Sequence, residues 1–232
     1  MKGMVAAWAV HAFTALGLVA AAGIAALVVE GGDAGFTHAF ELMILATAID
    51  ALDGPLARYA RVQAVLPGFD GRRLDDLIDF LNYTCLPLLL IWRAGILSGA
   101  ESWWLVLPLV ASAYGFSQAD AKTEDGYFLG FPSYWNVVAF YLYFLKLEEW
   151  LNVAILVALA LLTFVPLRYF YPTQPGFGNR LACILAAVWG GLLVLILMLP
   201  QAMRDPWLLA SLAFPLGYLM FSWWINWSQR AR

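Results

Sequence analysis

Long apolar segments, separated by short polar connections, constrain the fold of this chain more than any other feature. An α-helix of about 20 predominantly apolar residues is long enough to cross the hydrocarbon core of a membrane. Segments of this kind cover residues 5–29, 38–59, 74–97, 103–119, 132–147, 150–168, 180–200 and 206–227, and 63% of the 232 residues are hydrophobic. We therefore predict an all-α fold, a polytopic integral membrane helical bundle of about eight transmembrane helices that forms one domain over residues 1–232.

The lysines and arginines indicate how such a bundle is oriented. If the N-terminus is cytoplasmic, ten of the thirteen lie in cytoplasmic connections or termini, and Arg93, Lys146 and Arg204 lie outside. An excess of positive charge in cytoplasmic loops is typical of membrane proteins. We therefore expect both termini on the cytoplasmic side. The net charge of −3 adds little about partners, and no nucleic-acid partner is expected.

The segment from Asp50 to Asp79 is the most polar part of the chain, with six aspartates and four arginines. Ionisable groups beside apolar spans are costly and usually face a cavity, a partner or an ion. Asp50 and Asp53 are three residues apart, and Asp75 and Asp79 are four apart, so on helices each pair lies on one face. We expect two helix faces to present four carboxylates to one another. A charged loop that joins two spans is the alternative.

Clustered carboxylates repel one another unless a cation lies between them, and hard divalent cations such as Mg²⁺ and Mn²⁺ prefer oxygen ligands. The spacing therefore predicts a dinuclear metal site. Gly54, Ala57 and Gly71 lie beside the acids in the sequence and leave room for a ligand or for a close helix contact. Arg58 follows Gly54 by one helical turn and is suited to hold a phosphate by bidentate hydrogen bonds.

These residues form two linked blocks, D-x2-D-G-x2-A-R and G-x3-D-x3-D, which resemble the signature of the CDP-alcohol phosphotransferase family. The spacer between the blocks, residues 59–70, has twelve residues and is similar to that of the bacterial phosphatidylcholine synthase branch of the family. The resemblance implies an enzyme of the bacterial inner (cytoplasmic) membrane with its active site on the cytoplasmic side. It also implies a core of about six spans, to which the last two spans would be an addition.

The same resemblance implies a reaction and a set of site residues. The phosphatidyl group of CDP-diacylglycerol would pass to choline, and CMP would be released. Two Mn²⁺ or Mg²⁺ ions would be held by Asp50, Asp53, Asp75 and Asp79. Asp79 would also be the catalytic general base for the choline hydroxyl. The CDP and diphosphate pocket would be lined by Gly54, Ala57, Arg58 and Gly71.

A short polar patch lies near the start of the first span. The sequence His11-Ala-Phe-Thr14 resembles a patch in the family in which Asn-x-x-Thr is more usual. The resemblance implies that Thr14 contacts the nucleotide. Local hydrogen bonding to the helix backbone is the alternative for a threonine at this position.

The segment from Lys122 to Asn136 combines acidic and aromatic residues on the expected cytoplasmic side. Aromatic rings bind quaternary ammonium groups through cation–π interactions, and carboxylates add charge complementarity. We therefore predict a choline site that includes Glu124, Asp125, Tyr134 and Trp135. An interfacial aromatic belt that anchors the spans is the alternative.

Two other functions are compatible with the sequence. The acceptor alcohol could be glycerol phosphate, inositol, inositol phosphate or serine. A phosphorylated acceptor would need an extra basic pocket, which could be supplied by Arg61, Arg72, Arg73 and Lys122. A cation transporter could also place acids close to a membrane. Against a transporter, the four acids cluster at one face and the sequence lacks paired broken helices. Membrane lipids and a second copy of the chain, in a homodimer, are the expected partners.

Overall fold

The computed structural model describes residues 2–118, 127–170 and 177–230. The regular secondary structure of the described residues is helical except for two strands of three residues each. It divides into two compact units. The first unit contains Met1–Gly95 and Trp135–Phe140, and the second contains Ile96–Tyr134 and Tyr141–Arg232.

Two long helices form most of the first unit, α1 (Lys2–Glu30) and α2 (Gly32–Tyr59). They meet at a turn in which Gly31 and Gly32 have φ angles of 76° and 75°, a region that favours glycine. A Cβ atom at Gly35 would lie 2.9 Å from the Leu27 carbonyl oxygen, so the helices approach closely beside the turn.

A second helical segment of the first unit carries two of the acidic residues. After the short helix α3 (Val62–Val65), helix α4 (Gly71–Asp79) continues without a break into a π-helix (Phe80–Cys85) and helix α5 (Leu86–Arg93). Asp70 caps α4, because its side chain accepts a hydrogen bond from the Arg73 backbone amide at 3.1 Å.

Close contacts hold α4 against α1. A Cβ atom at Gly17 would lie 2.5 Å from Ile78 Cγ2, and one at Gly71 would lie 2.5 Å from His11 Cε1. Real Cβ atoms do not come this close to a neighbour, so glycine at both positions sets the distance between the helices. This contact fixes where α4 presents Asp75 and Asp79.

The second unit contains the remaining elements. They are a 3₁₀ helix (Gly99–Leu105), α6 (Val106–Ser117), β1 (Tyr127–Leu129), the later part of α7 (Trp135–Leu145), α8 (Glu149–Phe164), β2 (Arg168–Phe170), α9 (Phe177–Met198), α10 (Gln201–Ser211) and α11 (Ala213–Arg230). Strands β1 and β2 pair antiparallel with Phe128 opposite Tyr169. Asn226 of α11 binds both the amide and the carbonyl of Arg168 at 2.8 Å. These strands were not predicted from the sequence.

Four helices in the described part of the chain are long and apolar enough to cross a membrane, over residues 3–30, 32–59, 181–198 and 201–228. Two shorter apolar helices cover residues 135–145 and 149–164. Large apolar side chains are exposed along several of these helices, among them Val19, Val188 and Met220 at 67–69%. An all-α membrane protein accounts for such exposed apolar surface. The exact number of eight spans stays a prediction, as does the single-domain organisation.

Candidate functional site

Three carboxylates converge in the first unit. Asp50 on α2 and Asp75 and Asp79 on α4 each place one carboxylate oxygen within 4.8 Å of the oxygens of the other two. The pair Asp75 and Asp79 lies on one face of α4, as its spacing of four residues predicts. All three side chains are partly buried. Carboxylates at this separation destabilise one another electrostatically unless positive charge or protons lie between them.

Asp53 joins the same site from the next turn of α2. It is 6% exposed, and it lines a cavity of about 10 Å³ together with the other three aspartates. A cavity of this size has room for about one water-sized group. The remaining lining residues are Thr14, Gly17, Ala46, Ile49, Ile78, Asn82 and Tyr83. We call this space the acidic cavity.

A residue that was not predicted from the sequence holds Asp50 in place. The Tyr83 hydroxyl donates a hydrogen bond to Asp50 Oδ2 at 2.8 Å. A hydrogen bond of this kind, made behind a ligand, restricts its orientation. Nearby on α2, the Thr47 hydroxyl donates to the Met43 carbonyl oxygen at 2.9 Å and accepts from Asn136 Nδ2 at 3.2 Å. The sequence carried one signal for Tyr83, because it lies one helical turn after Asp79 within an otherwise apolar span.

Thr14 makes the local backbone hydrogen bond expected as the alternative, and its contact with the nucleotide stays a prediction. Its side chain is 7% exposed and lines the acidic cavity. Its hydroxyl donates to the Val10 carbonyl oxygen at 3.4 Å, which is the local backbone bond of a helical threonine. The hydroxyl oxygen keeps acceptor capacity beyond this bond.

The acidic cavity is not lined by the other predicted motif residues, which are Gly54, Ala57, Arg58 and Gly71. Ala57 and Arg58 line an open concavity of about 500 Å³ along residues 57–64. A Cβ atom at Gly54 would lie 3.4 Å from Arg58 Nη1, so the guanidinium folds back along α2 over the glycine. Gly71 lines neither this concavity nor the acidic cavity, and it packs against His11 instead.

The predicted choline residues are only partly described. Glu124 and Asp125 lie outside the described residues. Trp135, in the first unit, is 0% exposed, so its ring offers no accessible face. Tyr134, in the second unit, is partly exposed, and its ring lies 6.1 Å from that of Tyr218.

The chemistry of the acidic cavity fits a hard divalent cation. Its carboxylates supply only oxygen ligands, as Mg²⁺ and Mn²⁺ prefer. Asn82, which lines the same cavity, has a buried side-chain oxygen without a hydrogen-bond partner among the described residues. A space lined by hydrogen-bond acceptors in this way is stabilised when positive charge binds within it.

Comparison with known proteins identifies the family. No family model matches the chain. The chain is 37% identical over 193 residues to a phosphatidylcholine synthase of Pseudomonas aeruginosa, which covers 81% of the chain and 79% of that protein. The chain belongs to the phosphatidylcholine synthase family. A family member from Borreliella burgdorferi is 32% identical over 172 residues, which is 74% of this chain and 72% of that protein.

The match to other family members covers less of their length. A phosphatidylcholine synthase of Legionella pneumophila is 40% identical over 176 residues, which is 73% of this chain and 66% of that protein. A phosphatidylcholine synthase of Legionella bozemanae is 40% identical over 141 residues, which is 60% of this chain and 65% of that protein. The chain thus spans just under two thirds of the length of these two relatives.

Proposed function

We propose that the chain is a membrane-embedded phosphatidylcholine synthase, which transfers the phosphatidyl group of CDP-diacylglycerol to choline and releases CMP. The observation that carries this proposal is the convergence of Asp50, Asp75 and Asp79 around one cavity in a chain of this family. A CDP-lipid carries a diphosphate, and a transferred phosphoryl group needs positive charge beside it. An acidic site supplies that charge through the cations it binds.

The four aspartates would hold two divalent ions, Mn²⁺ or Mg²⁺. When bound, the ions would neutralise the diphosphate and stabilise the departing CMP. Asp53 is buried within the cavity, and Asp50 is oriented by Tyr83, so the chain fixes at least these two carboxylates before substrate arrives. Such preorganisation avoids the cost of moving charged groups during the reaction.

Arg58 and Asp79 have separate tasks in this proposal. The Arg58 guanidinium, which borders an open concavity large enough for part of a nucleotide, donates hydrogen bonds to the diphosphate. Asp79 accepts the proton of the choline hydroxyl as its oxygen attacks the phosphorus of the diacylglycerol phosphate. The bond from that phosphorus to the CMP oxygen breaks, and CMP leaves with the bonding electrons. Placement of the hydroxyl against Asp79 is the main contribution of this residue.

Choline would be recognised by an aromatic side chain with Glu124 or Asp125 as the counter-charge. Tyr134 is the first candidate, because it keeps exposed surface whereas Trp135 is fully buried. Tyr134→Leu should therefore raise the KM for choline and leave the KM for CDP-diacylglycerol unchanged. Trp135→Leu should instead lower the thermal stability, because a smaller side chain leaves a cavity. An unchanged choline KM in Tyr134→Leu would place the ammonium against other aromatic residues.

The location of the protein forms part of the proposal. We place it in the bacterial inner membrane with several spans, both termini and the acidic cavity on the cytoplasmic side, and with a second copy of the chain in a homodimer. The apolar helices and the bacterial relatives support a multi-pass membrane protein. Labelling of single cysteines near residues 2 and 230 in intact cells and in lysed cells would test the orientation of the termini.

An assay with a panel of acceptors tests the reaction most simply. Purified protein would be mixed with Mn²⁺ or Mg²⁺, CDP-diacylglycerol and one labelled alcohol at a time, namely choline, serine, inositol, inositol phosphate or glycerol phosphate. The proposal predicts a labelled phospholipid with choline alone, and none after chelation of the metal. A product with another alcohol in place of choline would assign the chain a different acceptor.

A further inference from the structure

A π-helix begins directly after the last aspartate of the acidic cavity. It covers Phe80–Cys85, and three consecutive polar residues on it, Asn82, Tyr83 and Thr84, are buried. A π-helix has more residues per turn than an α-helix, because its hydrogen bonds run from residue i to i+5. The wider turn allows both Asn82 and Tyr83 to line the cavity together with Asp75 and Asp79. Short π-helices of this kind occur often at functional sites.

The amide of Asn82 is held in one orientation. Its Nδ2 atom donates to the Gly17 carbonyl oxygen and to the Ile78 carbonyl oxygen, both at 3.1 Å. These two bonds use both hydrogens of the amide nitrogen. The reversed amide would place its oxygen against two carbonyl oxygens, so the hydrogen-bond network determines which atom is nitrogen. The bond to Gly17 also requires the close approach of α1 that a glycine permits.

The oxygen of the same amide is left without a partner. Asn82 is 4% exposed, and its Oδ1 atom is buried and accepts no hydrogen bond from the described residues. Buried polar atoms in folded proteins are nearly always paired. The Tyr83 hydroxyl, a possible donor that also lines the cavity, donates to Asp50 instead. The other polar groups of the cavity include four carboxylates, which when ionised are acceptors only.

We propose that Asn82 Oδ1 is an uncharged oxygen ligand of a divalent cation in the acidic cavity. A cation in this cavity would pair with the amide oxygen and with carboxylates at the same time. Amide and backbone carbonyl oxygens are common ligands of hard divalent cations, beside carboxylates. The inference deepens the proposed function, on which it rests, by adding a ligand to the metal site.

Asn152 provides a matched control for this ligand. It is 2% exposed, and its Nδ2 donates to the carbonyl oxygens of Ile96 and Leu147 at 3.4 and 3.3 Å. Its Oδ1 is likewise buried and unpaired within the described part of the chain. Asn152 does not line the acidic cavity. Replacing Asn152 therefore removes the same kinds of interaction as replacing Asn82, but no ligand.

Titration of the full-length protein in detergent with Mn²⁺ tests the proposal without any turnover. The electron paramagnetic resonance signal of free Mn²⁺ gives the Kd. Asn82→Ala should raise the Kd by about tenfold or more, as loss of groups at a metal site commonly does. Asn152→Ala should lower the unfolding temperature and leave the Kd within about twofold. The same Kd for the wild type and for folded Asn82→Ala would overturn the inference about Asn82 but not the proposed function.

A second measurement on the wild-type protein covers the case in which Asn82→Ala does not fold. Asparagine labelled with ¹³C at the amide carbon should give a ¹³C coupling to bound Mn²⁺ in electron–nuclear double resonance, because a ligating amide oxygen holds that carbon close to the ion. Absence of the coupling would overturn the inference and leave the aspartate site intact. A wild-type protein that binds no Mn²⁺ at all would overturn both the inference and the metal-assisted reaction.

Discussion

Asp50 is held from behind by a side chain of another helical segment. Its Oδ2 atom accepts a hydrogen bond from the Tyr83 hydroxyl at 2.8 Å. This bond orients one carboxylate of the acidic cavity through a group that need not touch the substrate. Tyr83 is therefore a positioning residue in the proposed reaction.

Removal of the Tyr83 hydroxyl should impair turnover more than folding. In Tyr83→Phe, Asp50 loses its 2.8 Å hydrogen bond while the ring still fills its buried site. We expect kcat to fall roughly tenfold and the KM for choline to stay unchanged. Tyr141→Phe is the matched control, since it removes a buried hydroxyl that bonds to Ser211 at 2.9 Å. Equal kcat values for the two variants would exclude the positioning role.

Substitution of Arg58 tests its proposed hydrogen bonds to the diphosphate. Lysine keeps the positive charge but loses the planar fork that binds two phosphate oxygens. Arg58→Lys should therefore raise the KM for CDP-diacylglycerol by about tenfold, which corresponds to roughly 1.4 kcal/mol, with a smaller effect on the KM for choline. Arg61→Lys is the control, because Arg61 lines the same concavity outside the motif. A larger effect at Arg61 would move the phosphate contact to that residue.

At the scale of elements, the contact between α1 and α4 determines the geometry of the acidic cavity. Gly17 and Gly71 lie at close approaches to Ile78 and His11, one on each helix. The predicted role of Gly71 was to line the CDP pocket, which stays a prediction. In the structure its lack of a side chain makes room for the His11 ring.

Gly71→Ala should disturb this helix contact. Its Cβ would meet His11 Cε1 at 2.5 Å, and we expect a loss of about 1–3 kcal/mol of stability together with reduced activity. The double variant His11→Ala/Gly71→Ala should recover much of the stability, because the clashing ring is gone. Gly68→Ala is the control, since its Cβ would meet no atom within 4 Å. Thermal unfolding measures all three, and no recovery in the double variant would exclude the packing explanation.

At the scale of the whole chain, local sequence spacing predicted which aspartates share a helix face. It did not predict the tertiary contacts around them. The shared helix face of Asp75 and Asp79 follows from helical periodicity. The hydrogen bond between Asn136 and Thr47 joins residues 89 positions apart, so no local pattern contains it. The π-helix and the pairing of β1 with β2 also depend on tertiary packing.

The lengths of the apolar segments predicted the number of spans less well than residue spacing predicted the shared helix face of the aspartates. Four helices meet the criteria for crossing a membrane in the described part of the chain, whereas eight apolar segments are present in the sequence. The third segment, 74–97, becomes α4, the π-helix and α5, whose polar residues Asp75, Asp79 and Asn82 face the acidic cavity. The π-helix and these polar residues distinguish this segment from an uninterrupted apolar helix.

Choline-dependent release of CMP is the measurement that tests the central claim most directly. Purified wild-type protein with CDP-diacylglycerol and Mn²⁺ should release CMP only when choline is added. Asp75→Asn should abolish this release, because Asp75 contributes to the carboxylate cluster, whereas Asp76→Asn should retain most of it, because the neighbouring Asp76 does not line the acidic cavity. Full activity of Asp75→Asn, or equal loss in both variants, would contradict the assignment of the acidic cavity as the site of phosphatidyl transfer.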